Sequence, residues 1–271
     1  MFWTEALFKV KKPIISMLHM QPLPGDPLFK EKDSMRRVVA LARADLHAIQ
    51  DGGVDGIIFS NEFSLPYQRR MSFVTPSAMA RVIGELMNDI RVPYGVDCIS
   101  DGLATIELAA AVDASFARGT FSGVYVGDGG FYDNQLSELL RRKNALRLDE
   151  LKLLYFLNPE SDINLDTRNL AAIARSLVFK ASPDALCVSG SAAGTGVGNE
   201  LLALVKEAVP ETVVFPNTGC TKDTIVDKLR ICDGAVVATT FKVDGKLFNP
   251  VDVERVKEFM KLVFAFRETL E

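Results

Sequence analysis

At 271 residues, 48% of them hydrophobic and 24% charged, the chain is long enough to bury one large core. That suits a single long α/β domain over residues 1–271, with a short N-terminal extension (1–12), better than two small domains. The formal charge of −4 and the lack of long Lys/Arg blocks offer no surface to nucleic acid or to an acidic membrane. No apolar run reaches bilayer length and the first residues lack a leader pattern, so a cytoplasmic protein without membrane insertion is expected.

Pro13 to His19 is an apolar run ended by a Pro/Gly-rich loop, and reads as a strand. Ser34 then opens a helix with Met35, Val38, Val39, Leu41, Ala42, Leu46 and Ile49 at helical spacing, stopped by Gly52 and Gly53. The same unit recurs: a strand over Val54–Ser60, the loop N-E-F-S-L-P-Y, and a helix from about Thr75 to Ile90 with Pro76 in its first turn. A strand over Val92–Ile99 and a helix over Leu103–Val112 follow, then a short, weak strand over Ala114–Gly119 and a glycine-rich loop over Thr120–Gly130. A polar helix over Asp133–Leu146 leads to a strand over Leu151–Asn158 and a helix over Thr167–Phe179. The strand Asp184–Gly190, the loop S-A-A-G-T-G-V-G and a helix over Asn199–Val209 form the next unit. Thr212 to Lys242 supplies the last two strands.

Apolar strands alternating with amphipathic helices imply a parallel sheet covered by helices, and eight units of about thirty residues favour closure into a (β/α)8 TIM barrel. An open doubly wound sheet is the alternative. The final helix, about Val251–Leu270, is apolar at Val253, Val256, Phe259, Met260, Val263 and Phe266, and Leu262 and Phe264 widen the stripe beyond one barrel face. Two readings fit that width: a homo-oligomer contact through the C-terminal helix, or packing under Phe2, Trp3 and Phe8. Cys98, Cys187, Cys220 and Cys232 form no C-x-x-C pair and read as core thiols, although Cys220 sits where a helix start could activate it.

The segments H-M-Q-P-L-P-G-D-P, S-N-E-F-S-L-P-Y, A-L-C-V-S-G and D-G-A-V-V-A-T-T-F-K-V-D-G-K-L-F-N-P-V-D-V-E-R-V occur in order over nearly the full length. In them the chain closely resembles the BtpA/SgcQ family. The resemblance implies a barrel of the ribulose-phosphate-binding type, and carries no particular reaction with it. The family's names come from a factor needed for photosystem I accumulation and from a member in a sugar-uptake gene cluster. Asp97 departs from the resemblance, standing where relatives tend to carry Asn.

In such a barrel the carboxyl ends of the strands share one mouth. Asn217, Thr218 and Gly219 after one strand, and Thr239 and Thr240 after the next, are small and donor-rich, and read as a phosphate cradle at the seventh and eighth strands. Across the mouth His19, Glu62 and Asp97 end successive strands, which suits acid/base chemistry or a divalent metal site. A hydrogen-bonded wall explains His19 as well, and a salt bridge to a nearby loop explains Glu62. Arg118 suits a substrate carboxylate or phosphate, or a buried pair with Asp97 or Asp128. Lys242 suits the phosphate or a Schiff base, against the plainer reading of a solvated lysine. Asn61, Asp128, Asn158, Ser189 and Gly190 are expected at the same mouth. Gly194–Gly198 lacks the full dinucleotide spacing and reads as a mobile loop over the mouth or a second anion contact.

Two functions follow as expectations. One is an enzyme acting on a small phosphorylated metabolite, a sugar phosphate, by proton transfer, isomerisation or aldol-type cleavage. The other is a non-catalytic assembly factor that works through an apolar surface on the last helix or the N-terminal segment.

Overall fold

The computed structural model describes residues 2–30, 34–160, 162–191 and 195–270. A short helix α1 (Trp3–Phe8) precedes strand β1 (Ile14–His19) and helix α2 (Met35–Asp51); β2 (Gly56–Ser60), α3 (Val74–Leu86), β3 (Tyr94–Asp97) and α4 (Gly102–Ala111) continue the alternation. After β4 (Phe116–Gly119) come a hairpin, β5 (Val124–Gly127) and β6 (Gly130–Asp133), helix α5 (Leu136–Ala145), β7 (Lys152–Asn158), the short β8 (Ile163–Asn164) and α6 (Leu170–Ala181). The chain ends with β9 (Ala185–Val188), α7 (Asn199–Ala208), β10 (Val213–Pro216), α8 (Ile225–Ile231), β11 (Ala235–Val237) and α9 (Val253–Glu268).

Eight strands lie in the order β10-β9-β7-β4-β3-β2-β1-β11, and their pairings are all parallel. This is the expected (β/α)8 barrel, nearly closed. At the seam between β10 and β11 two hydrogen bonds take the place of a ladder: Asp233 N donates to Val214 O at 3.0 Å and Val214 N donates to Asp233 Oδ2 at 2.9 Å. Lys206 Nζ, 2.7 Å from Asp233 Oδ2, compensates the charge that this seam buries.

Both faces of the strands are covered, which is why they are continuous apolar runs. Met17, Ile58, Leu154, Cys187, Phe215 and Val236 fill the barrel interior, while Leu18, Ile57, Phe59, Leu186 and Val214 face the helices. The amino end of the barrel is stopped by α1. Phe8 inserts beside Phe116 with ring centroids 5.7 Å apart, and Gly56 makes room for it, since a Cβ there would meet Phe8 Cε1 at 2.5 Å. Trp3 Nε1 donates to Asp184 O at 2.8 Å and pins the helix.

Part of the expected glycine-rich loop is ordered differently. β5 pairs antiparallel with both β6 and β8, so segments following β4 and β7 make a separate three-stranded sheet. After β11, Thr239–Phe241 and Val243–Gly245 form two single 3-10 turns before α9 begins. On α9, Val256, Phe259, Met260, Val263 and Phe266 are buried, and Leu262 and Phe264 stay exposed instead of packing under the N-terminal segment.

Candidate functional site

The mouth at the carboxyl ends of the strands is a cleft with two lobes that share Glu62, Arg118 and Glu160. One lobe, of about 500 Å³, reaches His19, Asn217–Asp223, Thr239, Thr240 and Arg255. The other, of about 390 Å³, runs between Tyr67, Tyr132 and Phe156 toward Asp128 and Asp162. A larger, open hollow of about 810 Å³ lies at the opposite end of the barrel, around Trp3, Leu7 and Lys152, and brings no comparable chemistry together.

β1 and β2 place His19 and Glu62 side by side, with His19 Nε2 3.8 Å from Glu62 Oε2. Burial, and then the positive charges of Lys242 and Arg118, push the His19 pKa well below the usual imidazole value. The ring is therefore neutral at neutral pH, and its buried Nδ1 has no partner among the described residues. Glu62 is shifted the other way. Desolvation raises its pKa to about 7; Glu160 and Asp97 add to the rise and Arg118 opposes it. The Tyr67 hydroxyl donates to Glu62 O at 3.1 Å and holds this turn of the loop.

Arg118 points into the barrel from β4 and organises the floor of the cleft. Its Nε and Nη2 donate to Asp97 Oδ2 at 2.9 and 2.8 Å, its Nη1 donates to Asn217 Oδ1 at 2.7 Å, and it lies over the Phe156 ring at 4.8 Å. Burial pushes the Asp97 carboxyl up against the pull of this guanidinium. Of the readings open for Arg118, the buried pair is thus the Asp97 one, and the pair reaches on through Asn217 Nδ2, which donates to Ser189 Oγ at 3.1 Å. His19, Glu62 and Asp97 do not assemble as a metal group: Asp97 is turned to Arg118, and among the described residues no three His, Cys, Asp or Glu side chains are arranged to hold an ion.

The residues expected to form a cradle offer main chain more than side chain. Asn217 is committed to Arg118 and Ser189, and Thr218 Oγ1 donates to Thr195 O at 2.9 Å while accepting from Gly190 N at 2.7 Å. Gly219, at φ +61°, lies so near the loop after β9 that a Cβ would meet Gly196 N at 2.2 Å. The expected Gly194–Gly198 loop is thus packed against Gly219 over its described part, and Gly194 lies outside the described residues. Thr240 Oγ1 donates to Cys220 O at 2.6 Å. The backbone N–H groups of Thr239 and Thr240, the first of their 3-10 turn, find no acceptor among the described residues, so they remain available to an anion.

Other candidates brace the rim. Asn61 Oδ1 accepts from Ile99 N at 2.9 Å, and Asn158 exchanges two hydrogen bonds with the Ser189 backbone. Asp128 lines the second lobe. Cys220 is buried, and desolvation pushes its thiol up to about 12, which leaves it unreactive. Lys242 requires a correction. It is neither solvated nor in the cleft: its Nζ is buried 2.9 Å from Asp45 Oδ2, on α2, because the turn after β11 directs it outward between barrel and helices.

Cleft residues that escape the sequence pattern include Tyr67, Glu160, Asp162, Lys222 and Arg255. Glu160 sits two residues past β7, and a carboxylate at that offset is a weak signal. Arg255 belongs to the first turn of α9, within a helix that reads as packing surface.

A nearly closed (β/α)8 barrel with a buried, polar, two-lobed mouth is the class that this geometry defines. Within that class the chain belongs to the BtpA family, whose model matches residues 10–265. It is 45% identical over 267 residues to the sgc region protein SgcQ of Escherichia coli (strain K12), covering 98% of this chain and 100% of that one. It is 29% identical over 257 residues to the photosystem I biogenesis protein BtpA of Synechocystis sp., covering 94% of this chain and 88% of that one. Among solved structures, (S)-3-O-geranylgeranylglyceryl phosphate synthase from Thermoplasma acidophilum, in complex with its substrate sn-glycerol-1-phosphate, superimposes with a TM-score of 0.59 over 96% of each chain at 12% identity. That likeness is one of fold.

Proposed function

We propose that this protein is an enzyme acting on a small phosphorylated metabolite, a sugar phosphate, by proton transfer next to a carbonyl. The observation that carries the reading is Glu62, held near a pKa of about 7 beside a neutral His19, in the same cleft as free backbone N–H groups at Thr239 and Thr240. A carboxylate poised near neutrality both accepts and returns a proton under working conditions. Phosphate bound at Gly219, Thr239 and Thr240 fixes the remote end of the substrate, and its binding free energy orients the reacting carbons. Glu62 removes a proton from the carbon next to the carbonyl. The electron pair left behind shifts onto the carbonyl oxygen, and the Arg118 guanidinium on the cleft floor stabilises that developing charge. Return of the proton to the neighbouring carbon, with the hydroxyl proton passing from the first oxygen to the enolate oxygen, gives the isomer. A similar enediolate arises in aldol-type cleavage, where Glu62 instead takes the proton of the β-hydroxyl, the bond between the α and β carbons breaks, its electron pair passes to the carbonyl oxygen and the β carbon leaves as an aldehyde. A fold match to a glycerol-phosphate-binding barrel supports the phosphate assignment without naming the reaction.

The test is a thermal-shift panel of sugar phosphates with the wild type and with Thr239→Glu. The wild type should be stabilised by at least one phosphorylated sugar and by none of the unphosphorylated ones, and the variant should lose that response while melting at a similar temperature. Equal shifts in both proteins would remove the phosphate from this place.

A second reading, an assembly factor like the BtpA relative, has one observation in its favour. Val126, Phe131, Ile163 and Leu165 are exposed on the small sheet, a likelier contact surface by position than the last helix first suggested. Replacing Phe131 and Ile163 by Ser separates the two readings: it leaves turnover intact in an enzyme and abolishes partner capture in an assembly factor.

A further inference from the structure

The two lobes of the cleft differ in charge: Lys222, Asp223 and Arg255 line the first beside the shared Glu62, Arg118 and Glu160, whereas Asp97, Asp128 and Asp162 add only carboxylates to the second. In the first, Arg255 Nε donates to Thr240 O at 3.0 Å, which anchors the guanidinium beside the free N–H groups of Thr239 and Thr240. Arg255 makes no direct ion pair with a carboxylate among the described residues, although Glu258, which pairs with Lys222, also feels its charge. Lys222 lines the same lobe with its charge shared with Glu258 at 2.6 Å. Between the lobes Arg118 is neutralised by Asp97 at 2.8 Å. The second lobe is bounded by Glu160, Asp162 and Asp128, and a Glu160 carboxylate oxygen, Oε2, is buried with no hydrogen-bond partner. Burial, and then the charges of Glu160 and Asp128, push the Asp162 carboxyl up.

We infer that the cleft admits phosphate monoesters in one orientation, with the phosphate on Arg255 and the Thr239–Thr240 turn, and excludes bisphosphates because the far end of the substrate lies against Glu160, Asp162 and Asp128. Resting on the reading of the site as a phosphosugar enzyme, this names its substrate class and adds Arg255 as the residue that selects the phosphate. The physics is a charge filter. A phosphate gains charge-assisted hydrogen bonds from a guanidinium that no carboxylate pairs directly, whereas a second phosphate, farther along the cleft, meets carboxylates. The far end of the substrate is therefore a neutral polyol or a cationic group. Glu160 borders both lobes, and places the boundary of the filter beside Glu62, where the bond chemistry occurs.

Calorimetric titration with fructose 6-phosphate and fructose 1,6-bisphosphate tests the filter on the full-length protein. The wild type should bind the monophosphate at least about tenfold more tightly than the bisphosphate, a difference of roughly 1.4 kcal/mol. Arg255→Gln should lose most monophosphate affinity, and Arg255→Lys should restore part of it, since Lys supplies charge without the planar fork. Glu160→Gln combined with Asp162→Asn should bring the bisphosphate to within about threefold of the monophosphate. Bisphosphate binding as tight as monophosphate binding in the wild type, or full affinity in Arg255→Gln, overturns the inference and leaves the phosphosugar reading standing. Absence of binding by every phosphate in a thermal-shift panel removes both.

Discussion

At the scale of single residues, the pair His19 and Glu62 shows how one environment moves two titrations in opposite directions. Burial disfavours charge, so the imidazole loses its proton more readily and the carboxyl holds on to its own. A stability consequence follows for Glu62. Its folded pKa of about 7 lies above the usual carboxyl value of 4.5, so between those two pH values the native state binds more protons than the unfolded state, and stability falls as pH rises through that window. Glu62→Gln has no proton to lose. Against the wild type it should gain roughly 2–3 kcal/mol in urea unfolding at pH 8 and almost nothing at pH 4, while turnover falls by about 10²–10⁴. A variant destabilised at pH 8 would show that the carboxylate is held by partners more strongly than desolvation opposes it. Glu62 and His19 were legible in the sequence because they end consecutive strands. Their shifted titrations were not, since these depend on Lys242, Arg118 and Glu160 arriving from distant parts of the chain.

At the scale of elements, legibility tracks how far each segment is covered. The barrel strands are buried on both faces and stand out as apolar runs. β5, β6 and β8 contain four, four and two residues, alternate between covered and exposed positions, and lie in glycine-rich or polar sequence, so their antiparallel sheet left no comparable mark. Lys242 illustrates the same limit. Its partner Asp45 is 197 residues away on α2, and Asp45 Oδ1 also accepts from Val251 N at 2.8 Å, so one carboxylate joins α2 to both ends of the segment that follows β11. Removing the ammonium leaves that carboxylate buried and uncompensated. Lys242→Met should therefore cost about 3–5 kcal/mol in urea unfolding, and adding Asp45→Asn should recover part of the loss because the neutral amide still accepts from Val251. Borohydride treatment with a carbonyl substrate should leave no label on Lys242. A labelled Lys242, or a nearly silent Lys242→Met, would return this side chain to the cleft.

For the whole molecule, the division of labour runs along the barrel axis. The carboxyl end carries the ionisable groups and is held by polar networks such as Asp97–Arg118–Asn217–Ser189. The amino end is closed by an apolar plug in which Phe8, 6% exposed, joins Ile15, Phe116, Val213 and Phe215. A plug that serves the fold alone should be separable from the site. Phe8→Ala removes the ring from a space that Gly56 keeps open for it, and should cost about 3–5 kcal/mol from lost burial and the cavity left behind. Because Phe8 touches the opposite end of the barrel from Thr239 and Arg255, phosphate affinity in the folded fraction should stay within about twofold of the wild type, as expected for sites that share no partner. Restoring bulk with Phe8→Leu should return more than half of the lost stability, since the rest of the plug remains in place. Unfolding curves and calorimetric titration on the same samples decide it. If phosphate affinity falls in step with stability, the two ends of the barrel are coupled through the interior residues Ile15, Met17 and Phe215, and the plug helps to set the geometry of the mouth as well as closing the base.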